Sequence, residues 1–151
     1  MYEYFAIILV ILIFALSSII PSGSTSWYKN LKKSPANPPP YVFMIVWIIL
    51  YAFIAYSWYM SIAVKNTDNM FLLNFLFTLN MLLNYAWSVS FFASQMPTLA
   101  LVIVCILIIL TAVIAYYMYI WVNKIAFSFM IVYLAWLVYA LYLNSYVVAK
   151  N

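Results

Sequence analysis

The chain has 151 residues, of which 71% are hydrophobic and 5% charged, and its net charge of +4 comes from six lysines, without arginine, against Glu3 and Asp68. A soluble domain of this size needs a charged surface of roughly a quarter of its residues, and so few scattered lysines give no basic face for nucleic acid. With no histidine and no carboxylate pair, the ligands of a protein-built metal site and of a two-carboxylate hydrolase are both missing.

A mean hydropathy of +1.13 places the chain in lipid, where the backbone must satisfy its own hydrogen bonds as helices or a closed barrel. Barrel strands alternate in polarity. This sequence instead has unbroken apolar runs of about 20 residues, the length that crosses a hydrocarbon core. The fold class is therefore all-α, a single integral membrane bundle of five transmembrane helices over residues 1–151.

The first helix is expected over about residues 4–21. Glu3 is the only charge before it and no small-residue cleavage site follows, so it reads as a membrane helix rather than a signal peptide. It closes at Pro21-Ser22-Gly23, where the only glycine of the chain relieves the turn. A polar first loop, about residues 22–40, carries Lys29, Lys32 and Lys33 and ends in Pro38-Pro39-Pro40. That triplet forces an extended approach to the second helix, about 41–64.

The short loop Lys65-Asn66-Thr67-Asp68-Asn69 makes the third helix, about 70–94, an antiparallel neighbour. Pro97 marks the turn into a fourth, about 98–122, and Asn123-Lys124 punctuates the start of a fifth, about 125–148. Cys105, the lone cysteine, stands in an apolar run and is expected to be a buried, inert thiol. Loop one and Lys150 place four lysines on one side against Lys65 and Lys124 on the other. By the positive-inside rule loop one and the C-terminus are cytoplasmic.

Three helices carry aromatic stripes at helical spacing: Phe43, Trp47 and Tyr51; Asn80, Asn84, Trp87 and Phe91; and Tyr133, Trp136, Ala140 and Asn144. If these faces converge they enclose a flat apolar pocket with a few hydrogen-bonding groups. The competing reading is packing and interfacial belts, since aromatic residues make up 21% of the chain. Asparagines within a membrane helix either pair across helices or line a site. Asn84 is balanced between those roles, and Asn144 is favoured as structural. Lys32 and Lys33 read first as a solvated topology signal and second as anion partners. Leu143, Tyr146 and Lys150 fit a degenerate spacing proposed for sterol contact, and Lys150 also suits snorkelling to the interface.

The stretch Trp27-Tyr28, Leu31, Lys33, Pro38-Pro39, Tyr41, Phe43, Val46-Trp47 and Leu50-Tyr51 resembles the signature of the translocator protein family (TspO, or peripheral-type benzodiazepine receptor). Asn84-Tyr85-Ala86-Trp87 with Phe91-Phe92, and Tyr133-Leu134-Ala135-Trp136 with Ala140 and Leu143-Asn144, resemble two further blocks of that family. Ser34 and Val132 stand where the family usually has proline, and Ile103 where it often has an acid; a basic residue after Phe91-Phe92 is missing.

The resemblance implies a membrane receptor or translocator, often a homodimer, that binds porphyrins such as protoporphyrin IX, and in many members sterols and benzodiazepine-like ligands. It implies ligand-binding roles for Trp47, Asn84, Trp87, Trp136 and Ala140 and a loop-one lid from Tyr28 to Pro39, to which the aromatic stripes add Phe43, Tyr51 and Tyr133; porphyrin is the ligand, and no cofactor is expected. It also implies an alternative, light-dependent porphyrin breakdown with Trp47 and Trp136 as the catalytic pair. The third reading is an unrelated small transporter, which would usually place a charge in mid-membrane. The membrane is the cell membrane in a bacterium, and the mitochondrial outer or another organelle membrane in a eukaryotic or viral setting.

Overall fold

The computed structural model describes residues 2–20, 25–62, 64 and 66–151. The turn expected at Pro21-Ser22-Gly23 and the topology residue Lys65 lie outside the described residues. Among the described residues six helices follow in order: α1 (Tyr2–Ile19), α2 (Ser26–Asn30), α3 (Pro40–Ile62), α4 (Thr67–Ser88), α5 (Pro97–Tyr117) and α6 (Lys124–Lys150). Helix α4 continues through a widened π turn, Val89–Ala93, and α5 through another, Met118–Val122. Among the described residues there is no strand.

Four of these helices are long and apolar enough to cross a membrane: Pro40–Ile62, Thr67–Ala93, Pro97–Val122 and Lys124–Lys150. Their 23 to 27 residues span about 35–40 Å at 1.5 Å per residue. Helix α1 is shorter, with an apolar stretch of Ala6–Ile19. The outward faces carry large apolar side chains, among them Ile11, Ile48, Phe75, Ile109 and Val138. Water would not tolerate such a surface; hydrocarbon does. The chain is an integral membrane protein.

Packing explains how a bundle forms without a hydrophobic gradient between core and surroundings. Trp58, Phe77, Met81, Met130, Tyr133 and Leu137 fill the centre at 0–2% exposure, and close packing with a few polar links holds the helices together. Trp58 stacks on Phe77 (5.5 Å between centroids, 8° between planes), and its indole N–H donates to Asn74 Oδ1 at 2.7 Å.

Local chemistry sets the helix ends. Asn66 caps α4 by accepting from Asn69 N (3.1 Å), so that helix begins within the polar run expected to be a loop. Asn123 caps α6 by accepting from Ala126 N (2.8 Å). Helix α6 is continuous past Val132, which is exposed, while Ile103 is buried in α5. Cys105 corrects an expectation: it is exposed on the outside of α5, not buried.

Between the π turn and Pro97, Gln95 sits at φ 55°, a left-handed conformation that disfavours any residue with a Cβ. Gln95→Gly is expected to raise stability by up to about 1 kcal/mol, read as the shift in unfolding midpoint of the detergent-solubilised protein.

Asn151 bonds to the backbone of Lys32, so loop one and the C-terminal end of α6 share one end of the bundle. The α4 π turn reaches the same end, because Trp27 of α2 packs on Phe91 at 5.8 Å.

Candidate functional site

At that shared end lies a cavity of about 450 Å³ lined by α1, α2, α3 and the C-terminal part of α4. Its aromatic walls are Phe14, Tyr28, Phe43, Trp47, Trp87 and Phe92, and its polar groups are supplied by Ser17, Ser18, Tyr51, Asn84 and Ser88. The volume is within the usual range for small-molecule pockets.

The three stripes do meet, through a ladder of hydrogen bonds that crosses four helices. Tyr51 Oη donates to Asn84 Oδ1 (2.9 Å), Asn84 Nδ2 to Tyr133 Oη (3.1 Å), Tyr133 Oη to Asn80 Oδ1 (3.1 Å), and Asn80 Nδ2 to Thr111 Oγ1 (2.9 Å). All five residues are buried, where an unmade hydrogen bond is expensive, so the ladder fixes the relative rotation of α3, α4, α5 and α6. Asn84 takes the structural role weighed for it, joining helices, and it also lines the cavity.

The sequence pattern places the pocket among the second, third and fifth predicted helices. The cavity instead opens toward α1. Tyr133 is fully buried behind the wall, 6.4 Å from Trp47. Trp136 packs on Phe43 (5.7 Å) and Tyr139 (5.4 Å). Neither they nor Ala140 belong to the lining, and Pro40, not Pro39, does. Asn144 is 2% exposed, yet its amide makes no hydrogen bond, so the structural role expected of it has no bonding partner. Of the sterol-motif residues, Leu143 is in the core, Tyr146 half-buried and Lys150 exposed.

The lining residues that the sequence pattern does not single out are those of α1. Phe14, Ser17 and Ser18 recur at i, i+3 and i+4 and so share one face. The Ser17-Ser18 pair, at the end of an otherwise apolar helix, is the signal that could have found them.

Loop one covers this end. It is built around the short helix α2, within a stretch expected to be loop. Thr25 Oγ1 accepts from Tyr28 N (3.2 Å) at its start. At its other end Lys33 Nζ donates to the carbonyls of Tyr28 (2.6 Å), Leu31 (3.1 Å) and Lys29 (3.3 Å), and lies 4.7 Å from the Tyr28 ring centre. A cation at a helix C-terminus and over an aromatic face is favoured twice. Lys33 is therefore a structural clamp on the cavity wall, not the freely solvated charge expected.

The π turn of α4 turns Phe91 and Phe92 toward α2, Phe92 meeting Tyr28 at 5.6 Å. On the other side, loop one is tied to α6. Lys32 N donates to Asn151 Oδ1 (2.8 Å) and Asn151 Nδ2 returns a bond to Lys32 O (3.2 Å). Ser34 Oγ shares a 2.8 Å bond with Tyr142 Oη, and Tyr139 Oη donates to Ala36 O (2.6 Å). Ser34, the departure from proline, also accepts from Ala36 N (3.1 Å), so its hydroxyl makes a local turn and a tie to α6 that proline would not. The double variant Asn151→Ala/Tyr142→Phe removes three of these ties. It is expected to speed amide exchange of residues 27–37 about tenfold, equivalent to about 1.4 kcal/mol, with the centre of α6 unchanged.

Among the described residues no three His, Cys, Asp or Glu side chains gather as metal ligands would. What the site offers is an aromatic-walled cavity with hydrogen-bonding groups at Tyr51 and Asn84, beside a tethered loop.

The TspO/MBR family model matches residues 5–149. The tryptophan-rich protein TspO of Chlorobaculum tepidum is 32% identical over 141 residues, covering 91% of this chain and 87% of its own length. The tryptophan-rich protein TspO of Archaeoglobus fulgidus is also 32% identical over 141 residues, covering 91% and 88%.

Proposed function

Because this chain belongs to the TspO/MBR family, we propose that it is a receptor or translocator that binds porphyrins in the cavity beneath loop one, with sterols and benzodiazepine-like compounds as further candidate ligands. The observation that carries the reading is the pairing of a 450 Å³ aromatic-walled cavity with a cover tied down on two sides. Flat aromatic walls suit a flat ligand through offset and edge contacts. The test is quenching of tryptophan fluorescence by protoporphyrin IX, in darkness, in the purified protein and in Trp47→Phe. Saturable quenching that weakens in the variant is expected; non-saturating quenching, equal in both, would mean that porphyrin only partitions into detergent.

Helix α1 serves as the fifth span in this reading, since its 18 residues reach about 27 Å, close to the hydrocarbon thickness. Loop one and Lys150, sharing one end, face the cytoplasm under the positive-inside rule. The homodimer implied by the family is checked by crosslinking in native membranes.

One observation favours a second reading, light-dependent breakdown of the porphyrin. Trp47 lies in the cavity wall with Tyr51, Trp87 and Tyr133 at centroid distances of 5.7, 6.4 and 6.4 Å, a cluster able to give an electron to the excited ligand and spread the resulting radical, with dissolved dioxygen as the oxidant that ring opening requires. Illumination of the complex would bleach the porphyrin faster than in an unrelated membrane protein in the same detergent; an equal rate would leave binding alone.

A further inference from the structure

The loop-one end of the bundle carries lysines and no acidic side chain. Lys29, Lys32 and Lys33 belong to loop one, and Lys150 ends α6. The only two acidic residues of the chain are elsewhere. Glu3 lies at the start of α1, about 21 Å along that helix from Ser17, and Asp68 lies in the first turn of α4. Lys33 is spent on three carbonyls and the Tyr28 ring. Lys29, Lys32 and Lys150 are exposed.

The fold gathers these three from distant parts of the sequence. The two bonds between the Lys32 backbone and the Asn151 amide, at 2.8 and 3.2 Å, span 119 positions. The same amide donates to Val147 O (2.8 Å), which anchors it on the last turn of α6. Lys150 adjoins Asn151, with consecutive Cα atoms about 3.8 Å apart, and the chain keeps Lys29 within about 11 Å of Lys32. Like charges held this close repel one another. One phosphate relieves the repulsion, because its oxygens accept from several ammonium groups on flexible stems.

The surroundings identify the source of that phosphate. Loop one runs beside the C-terminal stretch of α6, Ala36 bonded to Tyr139, Ser34 to Tyr142 and Lys32 to Asn151. This stretch ends a membrane-spanning helix, and Tyr142 is 48% exposed on it. Tyrosines concentrate at headgroup depth, where juxtamembrane lysines attract anionic lipid. A topology signal needs lysines only on one side of the membrane. It does not need lysines of two remote segments joined at one staple.

We propose that an anionic phospholipid headgroup binds across Lys29 and Lys32 of loop one and Lys150 of α6, bridging the two segments. Lipid composition then sets how readily loop one leaves α6. The proposal does not depend on what the cavity holds.

Amide exchange of residues 27–37 tests it, in nanodiscs of phosphatidylcholine alone and of equal parts phosphatidylcholine and phosphatidylglycerol. Exchange is expected to be about tenfold slower in the anionic discs, with the centre of α6 unchanged. In Lys150→Gln the slowing is expected to fall below about threefold, although both loop lysines remain. In Lys29→Gln/Lys32→Gln/Lys150→Gln it is expected to vanish. Equal exchange in the two discs would overturn the proposal, as would slowing that survives in the triple variant or extends equally to the centre of α6. Slowing undiminished by Lys150→Gln would mean that loop one meets the bilayer surface alone, and the bridge would fall. Inorganic phosphate added to the phosphatidylcholine discs at matched ionic strength is expected to change nothing. If it reproduces the slowing, the site takes free phosphate and the lipid assignment is wrong.

Discussion

Asn80→Ala is expected to destabilise the protein by about 2–4 kcal/mol, the largest loss from any single side chain in the polar ladder. Asn80 accepts from Tyr133 and donates to Thr111, at 3.1 and 2.9 Å, with no exposure at any of the three residues. Interhelical hydrogen bonds in membranes are each worth about 0.5–2 kcal/mol. Truncation also leaves the Tyr133 and Thr111 hydroxyls without their partner in a medium that cannot supply another. The near-isosteric Thr111→Val removes only the end of the ladder and should cost about 1 kcal/mol. Unfolding in mixed micelles by added denaturing detergent measures both. A loss below about 0.5 kcal/mol for Asn80→Ala would mean that packing alone sets the helix rotations.

Trp47→Ala is expected to weaken porphyrin binding about thirtyfold, whereas Trp136→Phe should change it less than threefold. Trp47 lines the cavity and touches Tyr51, Trp87 and Tyr133. Loss of a buried tryptophan at the centre of a site costs about 2 kcal/mol, which converts to that factor. Trp136 stands behind the wall against Phe43, and phenylalanine preserves most of that contact. Titration of both variants by the emission of bound porphyrin checks the contrast. The reverse ranking would move the ligand to the seam between α3 and α6.

That contrast also marks how far the sequence can be read. Helical spacing alone singles out Trp47, Tyr51, Asn84 and Trp87, because a large aromatic beside an amide is costly to leave in lipid and must turn inward. The same logic brings Asn74, Asn80 and Asn84 to partners on other residues. Tyr133 and Trp136 share the pattern, yet they stand behind the cavity wall, against Trp47 and Phe43. Spacing reports which residues share a face of one helix; it is silent on which neighbour that face meets. Lys33 escapes the pattern for a related reason. Its role depends on α2, a five-residue helix too short to announce itself by periodicity. Cys105 escapes it because α5 is apolar on all sides, so no polar face distinguishes core from lipid.

Composition and run length by themselves determined a helical membrane protein, since lipid forbids unpaired backbone and water forbids this surface. The ordered aromatic and asparagine blocks determined the family and half of the cavity wall. Only the tertiary structure decided that the cavity opens toward Ser17 and Ser18 of α1, that Tyr133 stands behind its wall, and that loop one is tied to α6 through Asn151, Ser34 and Tyr139. In a helix apolar on every side, hydrophobic burial gives no preferred rotation. The few polar contacts between distant segments do, and they exist only once the bundle has assembled.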